Sequence, residues 1–180
     1  MRAMRGVALL ILPLTLMSGA AGLAQQANEP VSALKGHNSD APIDLSADRL
    51  EVQDRADRAM FSGNVHVRQS DLTLDTSRLT VAYSSSGGVQ IQRLDASGGV
   101  TVKSPSETAR GNFGIYDLDR KLITLIGDVV LTRQGSQLNG QRLVIDLDSG
   151  RAVIDGGPAG VGQSGGRVTG HFTVPQRRGS

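Results

Sequence analysis

The carboxylates nearest to a catalytic pair are Asp117 with Asp119 and Asp146 with Asp148. Cleavage of a glycosidic bond needs two carboxyl groups opposed across a cleft. Two Asp residues separated by one residue in a turn do not supply that, and Asp at such positions bonds the local backbone instead. His37, His66 and His171 lie in three unrelated contexts, and the chain has no cysteine. No metal-ligand spacing results, so the histidines are expected on the surface. The absence of cysteine also removes thiolate chemistry and a disulfide framework. Ser84-Ser85-Ser86-Gly87-Gly88 has turn composition and lacks the strand–turn–helix context of a nucleophile elbow. There is no Gly-x-x-x-x-Gly-Lys-(Ser/Thr) loop for a nucleotide phosphate. These residues do not converge on a reaction, so the sequence predicts a binding protein with no catalytic residue, no metal and no cofactor.

The elements around these residues explain why. Met1-Arg2-Ala3-Met4-Arg5 is basic, Val7 to Met17 is apolar, and small residues follow from Ser18 to Ala24. That order is a secretory signal peptide over residues 1–24, cut before Gln25. Its apolar run of about 11 residues is well short of the roughly 20 needed to span hydrocarbon. No later segment is long and apolar enough, so a soluble exported protein is expected. Removing Arg2 and Arg5 leaves 17 Lys and Arg (19 minus 2) against 17 Asp and Glu. A near-neutral mature chain gives no electrostatic footprint for nucleic acid. It has three Phe, two Tyr and no Trp, so Val, Leu and Ile must do nearly all the burying.

Residues 25–42 are polar and aperiodic and predict a flexible entry segment. From Ile43 the pattern alternates, as in Val65-x-Val67, Leu72-x-Leu74, Leu79-x-Val81, Val100-x-Val102 and Leu143-x-Ile145-x-Leu147. Period two, bounded by Gly, Asp, Ser and Asn, predicts half-buried strands. An internal repeat overlies the alternation. Gly63-Asn64-Val65-His66-Val67, Gly99-Val100-Thr101-Val102 and Gly127-Asp128-Val129-Val130-Leu131 share one pattern. Arg49-Leu50-Glu51-Val52, Arg78-Leu79-Thr80-Val81 and Arg142-Leu143-Val144-Ile145 share another, with Asn112-Phe113-Gly114-Ile115 as the divergent copy. The reading is an all-β stack of hairpin-like units whose apolar faces align into one aliphatic interior. Glycines at matching positions suit corners or bulges. Jelly roll, solenoid and folded trough all satisfy this pattern. Residues 158–180 read as a Gly-rich segment with a short last strand near Arg167 to Val174 and a terminal tail.

Asp48-Arg49-Leu50-Glu51-Val52, Ala59-Met60-Phe61-Ser62-Gly63-Asn64-Val65-His66-Val67-Arg68-Gln69 and Leu79-Thr80-Val81-Ala82-Tyr83 occur in that order behind the leader. Gly127-Asp128-Val129-Val130-Leu131-Thr132-Arg133-Gln134-Gly135 and Leu138-Asn139-Gly140-Gln141-Arg142-Leu143 follow. This ordered set resembles the OstA-like/LptA family of periplasmic lipopolysaccharide transport proteins, over roughly Ile43 to Gly157. The stretch from Ser104 to Gly114 departs from the pattern, with Pro105 and a lost alternation. The resemblance implies an open-ended twisted β-jellyroll, or folded β-trough, over residues 43–157. It also implies a location in the periplasm and lipopolysaccharide as ligand, with the lipid A acyl chains shielded in the groove. The implied partners are an LptC-like inner-membrane protein and an LptD-like outer-membrane barrel, joined by end-to-end β-strand addition, and further copies of the chain. The arginines that open the repeats read first as solvated flanks rather than phosphate clamps, and under the resemblance a few near a groove opening would meet lipid A phosphates.

The residues expected to face the lipid are Leu50, Val52, Phe61, Val65, Val67, Leu72, Leu74, Leu79, Val81, Val100, Val102, Phe113, Ile115, Val129, Leu131, Leu143 and Ile145. Each has ordinary core packing as its simpler role, and the expectation attaches to the group. Tyr83 and Tyr116 are candidates for the groove mouth. Two other readings remain open at this level. One is an inner-membrane-tethered LptC-like component with an uncut anchor. The other is a structural or carbohydrate-binding β-repeat module that takes no lipid.

Overall fold

A computed structural model describes Leu34, residues 37–157 and residues 166–173. The expected signal peptide, most of the entry segment, residues 158–165 and the tail after Thr173 lie outside the described residues. Ten strands follow in chain order: β1 (Ile43–Ser46), β2 (Arg49–Gln53), β3 (Arg58–Gln69), β4 (Leu72–Ser84), β5 (Gln90–Lys103), β6 (Glu107–Asp117), β7 (Leu122–Arg133), β8 (Ser136–Asp146), β9 (Ala152–Asp155) and β10 (Thr169–His171). They form one antiparallel sheet in which β3 to β8 pair successively. β1 and β2 share the edge of β3, while β9 and β10 share the edge of β8. Among the described residues no pairing joins the two edges, so the sheet stays open at both ends. Every link between β3 and β8 is a hairpin, which period-two alternation with short Gly-, Ser- or Asp-containing turns dictates.

A flat sheet would leave its apolar face in water. Here Leu79, Leu125 and Leu143 are 0% exposed, and seven further aliphatic residues are 2% or less. The long strands achieve this by bending. The register slips between Ser62 and Val65 in β3, between Ser97 and Val100 in β5, and between Ile126 and Val129 in β7. Each slip holds two consecutive residues with positive φ: Gly63-Asn64, Gly98-Gly99 and Gly127-Asp128. Those residue types tolerate the left-handed region, and a bulge there turns the strand. A small polar residue crowds the inner glycine of each bulge. Asp48 faces Gly63, Ser77 faces Gly98, and Asn112 faces Gly127, where an added Cβ would lie 2.8 Å from the Asn112 amide. These residues also tie the bend. Asn64 donates to Asp48 at 2.8 Å, Ser77 donates to the Gly98 carbonyl at 2.8 Å, and Asn112 donates to Asp128 at 3.2 Å.

The bends divide the sheet into two facing layers. Layer one holds residues 58–62, 78–84, 90–97, 113–117, 122–126 and 142–146, flanked by β2 and β9. Layer two holds residues 65–69, 72–76, 100–103, 107–110, 129–133 and 136–140, flanked by β1 and β10. The bulges form the spine where the layers join, and the hairpin turns form two opposing lips. The all-β stack expected from the repeat is therefore observed, in the folded-trough form that the family resemblance implies. Within the irregular stretch from Ser104 to Gly114, Glu107 onward belongs to β6, which is laddered to both β5 and β7 on either side of a register shift near Gly111 and Asn112.

Candidate functional site

The interior is predominantly aliphatic. Cross-strand partners on the inner face form rows such as Val81–Leu94–Tyr116–Ile123–Ile145 in layer one. Val67–Leu74–Val102–Ala109–Leu131 runs likewise in layer two. In the middle the layers pack closely, and a space of only about 20 Å³ remains beside Gln69, Leu94, Tyr116 and Leu125. The trough opens at each end. The first mouth, about 510 Å³, lies between Leu45, Val52, Ala59, Phe61, Val81 and Ile91, with Asp54, Asp57, Tyr83 and Ser85 on its rim. The second, about 540 Å³, lies between Leu131, Leu138, Ala152, Ile154, Val168 and Phe172, with Glu107, Arg133, Gln134 and Ser136 on its rim. Glu107 and Arg133 are register partners across β6 and β7.

Twelve of the expected lining residues are buried on the inner face. They are Val65, Val67, Leu72, Leu74, Leu79, Val81, Val100, Val102, Val129, Leu131, Leu143 and Ile145. Phe61 is half-buried against them in the first mouth. Leu50 and Val52 point to the same side, as partners of Phe61 and Ala59, but are 53% and 54% exposed. β2 is an edge strand and no further strand covers them.

Phe113 and Ile115 do not face the interior. Phe113 pairs with Ser97 and Ile126 and is 55% exposed, and Ile115 pairs with Asp95 and Thr124. The inner positions of β6 are Gly114 and Tyr116. Reading Asn112-Phe113 as the counterpart of Arg-Leu shifted the register by one, which in a strand exchanges the faces. Gly114 occupies the place that Leu79 and Leu143 hold in the other units. Val100 and Leu125 lean into the vacated volume, 3.0 and 3.2 Å from where a Cβ would stand.

Sequence reasoning missed Leu94, Ile123 and Leu125, all buried. Leu122-Ile123-Thr124-Leu125-Ile126 is apolar at both parities apart from Thr124, so its inner face is not readable locally. Leu94 follows an irregularity where Gln92 is left out of the β4 ladder. Of the two tyrosines, Tyr83 stands on the rim of the first mouth, whereas Tyr116 is 4% exposed in the interior.

The expectation of surface histidines fails for His37, whose side chain is fully covered. Its Nδ1 lies 3.0 Å from Asp71 Oδ1 and its Nε2 lies 3.2 Å from Gln69 Oε1. Gln69, 2% exposed, continues the inner face of β3 where an aliphatic residue would be usual. Its amide nitrogen donates to the carbonyls of Ser39 at 2.8 Å and Ala41 at 2.9 Å. Its oxygen accepts from the Tyr116 hydroxyl at 2.9 Å. Leu34, 3% exposed, belongs to the core. The described part of the entry segment is therefore anchored. Partners more than 30 residues away make this burial, which no local pattern announces.

The electrostatics follow the contacts. The His37 hydrogen bond holds the Asp71 carboxyl below its ordinary value. The His66 ring at 2.7 Å, with Lys103 at 3.1 Å, does the same for Asp75. Burial pushes the Tyr116 phenol up. The Tyr83 phenol is pushed up by loss of solvent, then by the charges of Asp54 and Asp57. Among the described residues no group of three or more His, Asp or Glu side chains could hold a metal ion. Asp117 and Asp146 instead accept turn amides, at 2.9 Å from Arg120 and from Ser149. No helix among the described residues is long and apolar enough to cross a membrane.

Residues 44–151 match the sequence family described as LptA/(LptD N-terminal domain) LPS transport protein. A curated protein of Rhizobium meliloti (strain 1021), itself described as uncharacterized, is 34% identical over 142 residues, covering 75% of this chain and 76% of that one. Among solved structures, LptH from Pseudomonas aeruginosa matches the fold with a TM-score of 0.67 at 17% identity, over 77% of this chain and 99% of that chain. LptH is described as the LptA-homologous periplasmic component of the conserved lipopolysaccharide transport device.

Proposed function

This chain belongs to the LptA/(LptD N-terminal domain) family of LPS transport proteins, and we propose that it works in the periplasm as a lipopolysaccharide-binding segment of a bridge between the inner and outer membranes. The observation that carries this reading is a predominantly aliphatic interior, closely packed in the middle, with an apolar mouth at each end. Acyl chains of lipid A need continuous cover from water, and each methylene withdrawn contributes about 0.8 kcal/mol. Ten buried methylenes thus amount to about 8 kcal/mol, enough for affinity without a fixed polar anchor. A lining without such anchors lets the chain slide.

The open ends support the bridging role. β1 and β2 at one end, and β9 and β10 at the other, expose unpaired backbone on their outer sides. Such edges accept an added strand from a partner. The partners proposed are an LptC-like inner-membrane protein, an LptD-like outer-membrane barrel and further copies of this chain.

The test uses the mature chain with a photo-crosslinking side chain at Phe61 in the first mouth, and in parallel at Phe113 on the outer face of β6. Lipopolysaccharide is expected to label Phe61 and leave Phe113 at background. Equal labelling at the two positions, or none at Phe61, overturns the proposal.

A further inference from the structure

Gln69 is a polar side chain only 2% exposed, and its position is unusual. It ends β3 in layer two, beside the turn at Ser70-Asp71. Tyr116 stands one residue before the end of β6 in layer one, beside the turn at residues 118–121. These turns belong to opposite lips, so the hydroxyl-to-amide bond of 2.9 Å joins the lips across the opening of the trough. Leu34 and residues 37–42 complete the tie, through Ser39, Ala41 and the His37 ring on Gln69, with Leu34 inserted into the core.

We infer that Leu34 and residues 37–42 form a removable strap that holds the lips of the trough together at the Tyr116–Gln69 tie, and that a lipid occupies the middle of the trough only after this strap is displaced. The inference rests on the lipid-carrying reading above. A space of about 20 Å³ holds at most a water or two, so no acyl chain passes the middle as it stands. Something there must move. The strands are held by continuous backbone ladders, which open only at the cost of many hydrogen bonds at once. The strap is held by Leu34 and a few side-chain hydrogen bonds. Such bonds exchange for bonds to water or to a ligand's polar groups with little net change, so the strap is the part that yields first. Leu34 also fills apolar volume that a ligand methylene would take. The chain thus carries its own occupant for the closed state.

The test takes the mature full-length chain, which has no native cysteine, with His37→Cys and Asp71→Cys introduced together. Fluorescent lipopolysaccharide is the probe. The oxidised protein is expected to lose uptake and to regain it on reduction. A second variant, Tyr116→Phe, keeps the ring and deletes the tie. It is expected to load faster and to exchange the amide hydrogens of Ser39 and Ala41 faster than the parent. Equal loading of the oxidised and reduced forms, or unchanged exchange in Tyr116→Phe, overturns the strap. If neither the parent nor the reduced double variant takes up lipopolysaccharide, the transport reading falls. Amide exchange in Tyr116→Phe then still decides the strap, because it needs no lipid.

Discussion

The two mouths of the trough are close in volume, about 510 and 540 Å³, and are walled by the same kinds of aliphatic side chain. Their rims differ. The first carries Asp54 and Asp57 with the hydroxyls of Tyr83 and Ser85, and no cationic side chain lines it. The second carries Arg133 opposite Glu107. Their covers differ too. β1 and β2 line nine residues along β3, whereas β9 and β10 contribute seven along β8, with all three residues of β10 exposed. On the reading proposed above, matching walls suit one apolar cargo, unlike rims suit two different neighbours, and the tight middle is a throat common to both mouths.

The shared throat is the most sensitive point of that comparison. Leu125→Ala removes a fully buried side chain from the middle, which both mouths depend on. A loss of about 2–5 kcal/mol in unfolding free energy is expected from urea denaturation. A loss below about 1 kcal/mol would mean that the middle is not one packed core. The walls come next. Phe61 is packed against the core while Phe172 is 65% exposed. Phe61→Ala is therefore expected to cost about 1–3 kcal/mol, part of the range for a fully buried Phe. Phe172→Ala should stay within about 0.5 kcal/mol. Equal costs would remove the asymmetry between the mouths.

The smallest effect belongs to the rim. Asp54→Asn with Asp57→Asn removes two charges that raise the Tyr83 pKa, leaving desolvation, the larger cause, in place. Ultraviolet titration should find Tyr83 ionising at a lower pH than in the parent, yet still above 10.0. The sign follows from the raised folded value. Its stabilising contribution is present below the unfolded value near 10 and is lost as pH rises through the folded one. The double variant, whose folded value lies closer to 10, should therefore lose less stability in alkali than the parent. No change in the titration would show that the acidic rim does not act on Tyr83.

Much of this molecule is visible in its sequence, for reasons that are local. Alternation such as Leu72-x-Leu74 and Leu143-x-Ile145 marks the inner face, because side chains of a strand point to opposite sides in turn. Gly63, Gly98 and Gly127 mark the bends because only a few residue types accept positive φ there. The failures have the opposite character. In β6 the repeat was followed through Phe113, although Gly114 takes the leucine's place and Val100 and Leu125 fill the space from neighbouring strands. His37 was assigned to the surface because nothing within a few residues covers it. Its partners are Gln69 and Asp71. The exposure of Leu50 and Val52 depends on how many strands the chain places beyond β2, a property of the whole sheet.

The paired bulges of the spine carry one more consequence. Each of β3, β5 and β7 brings its own bend and its own polar counterpart, Asp48, Ser77 or Asn112, from the preceding segment. Each hairpin therefore comes with the means of its own bend. Duplicating one lengthens the channel by two strand spacings, about 10 Å, and leaves both end faces untouched. Evolution can lengthen such a chain by counting hairpins, with no redesign of its inner face or of its two ends.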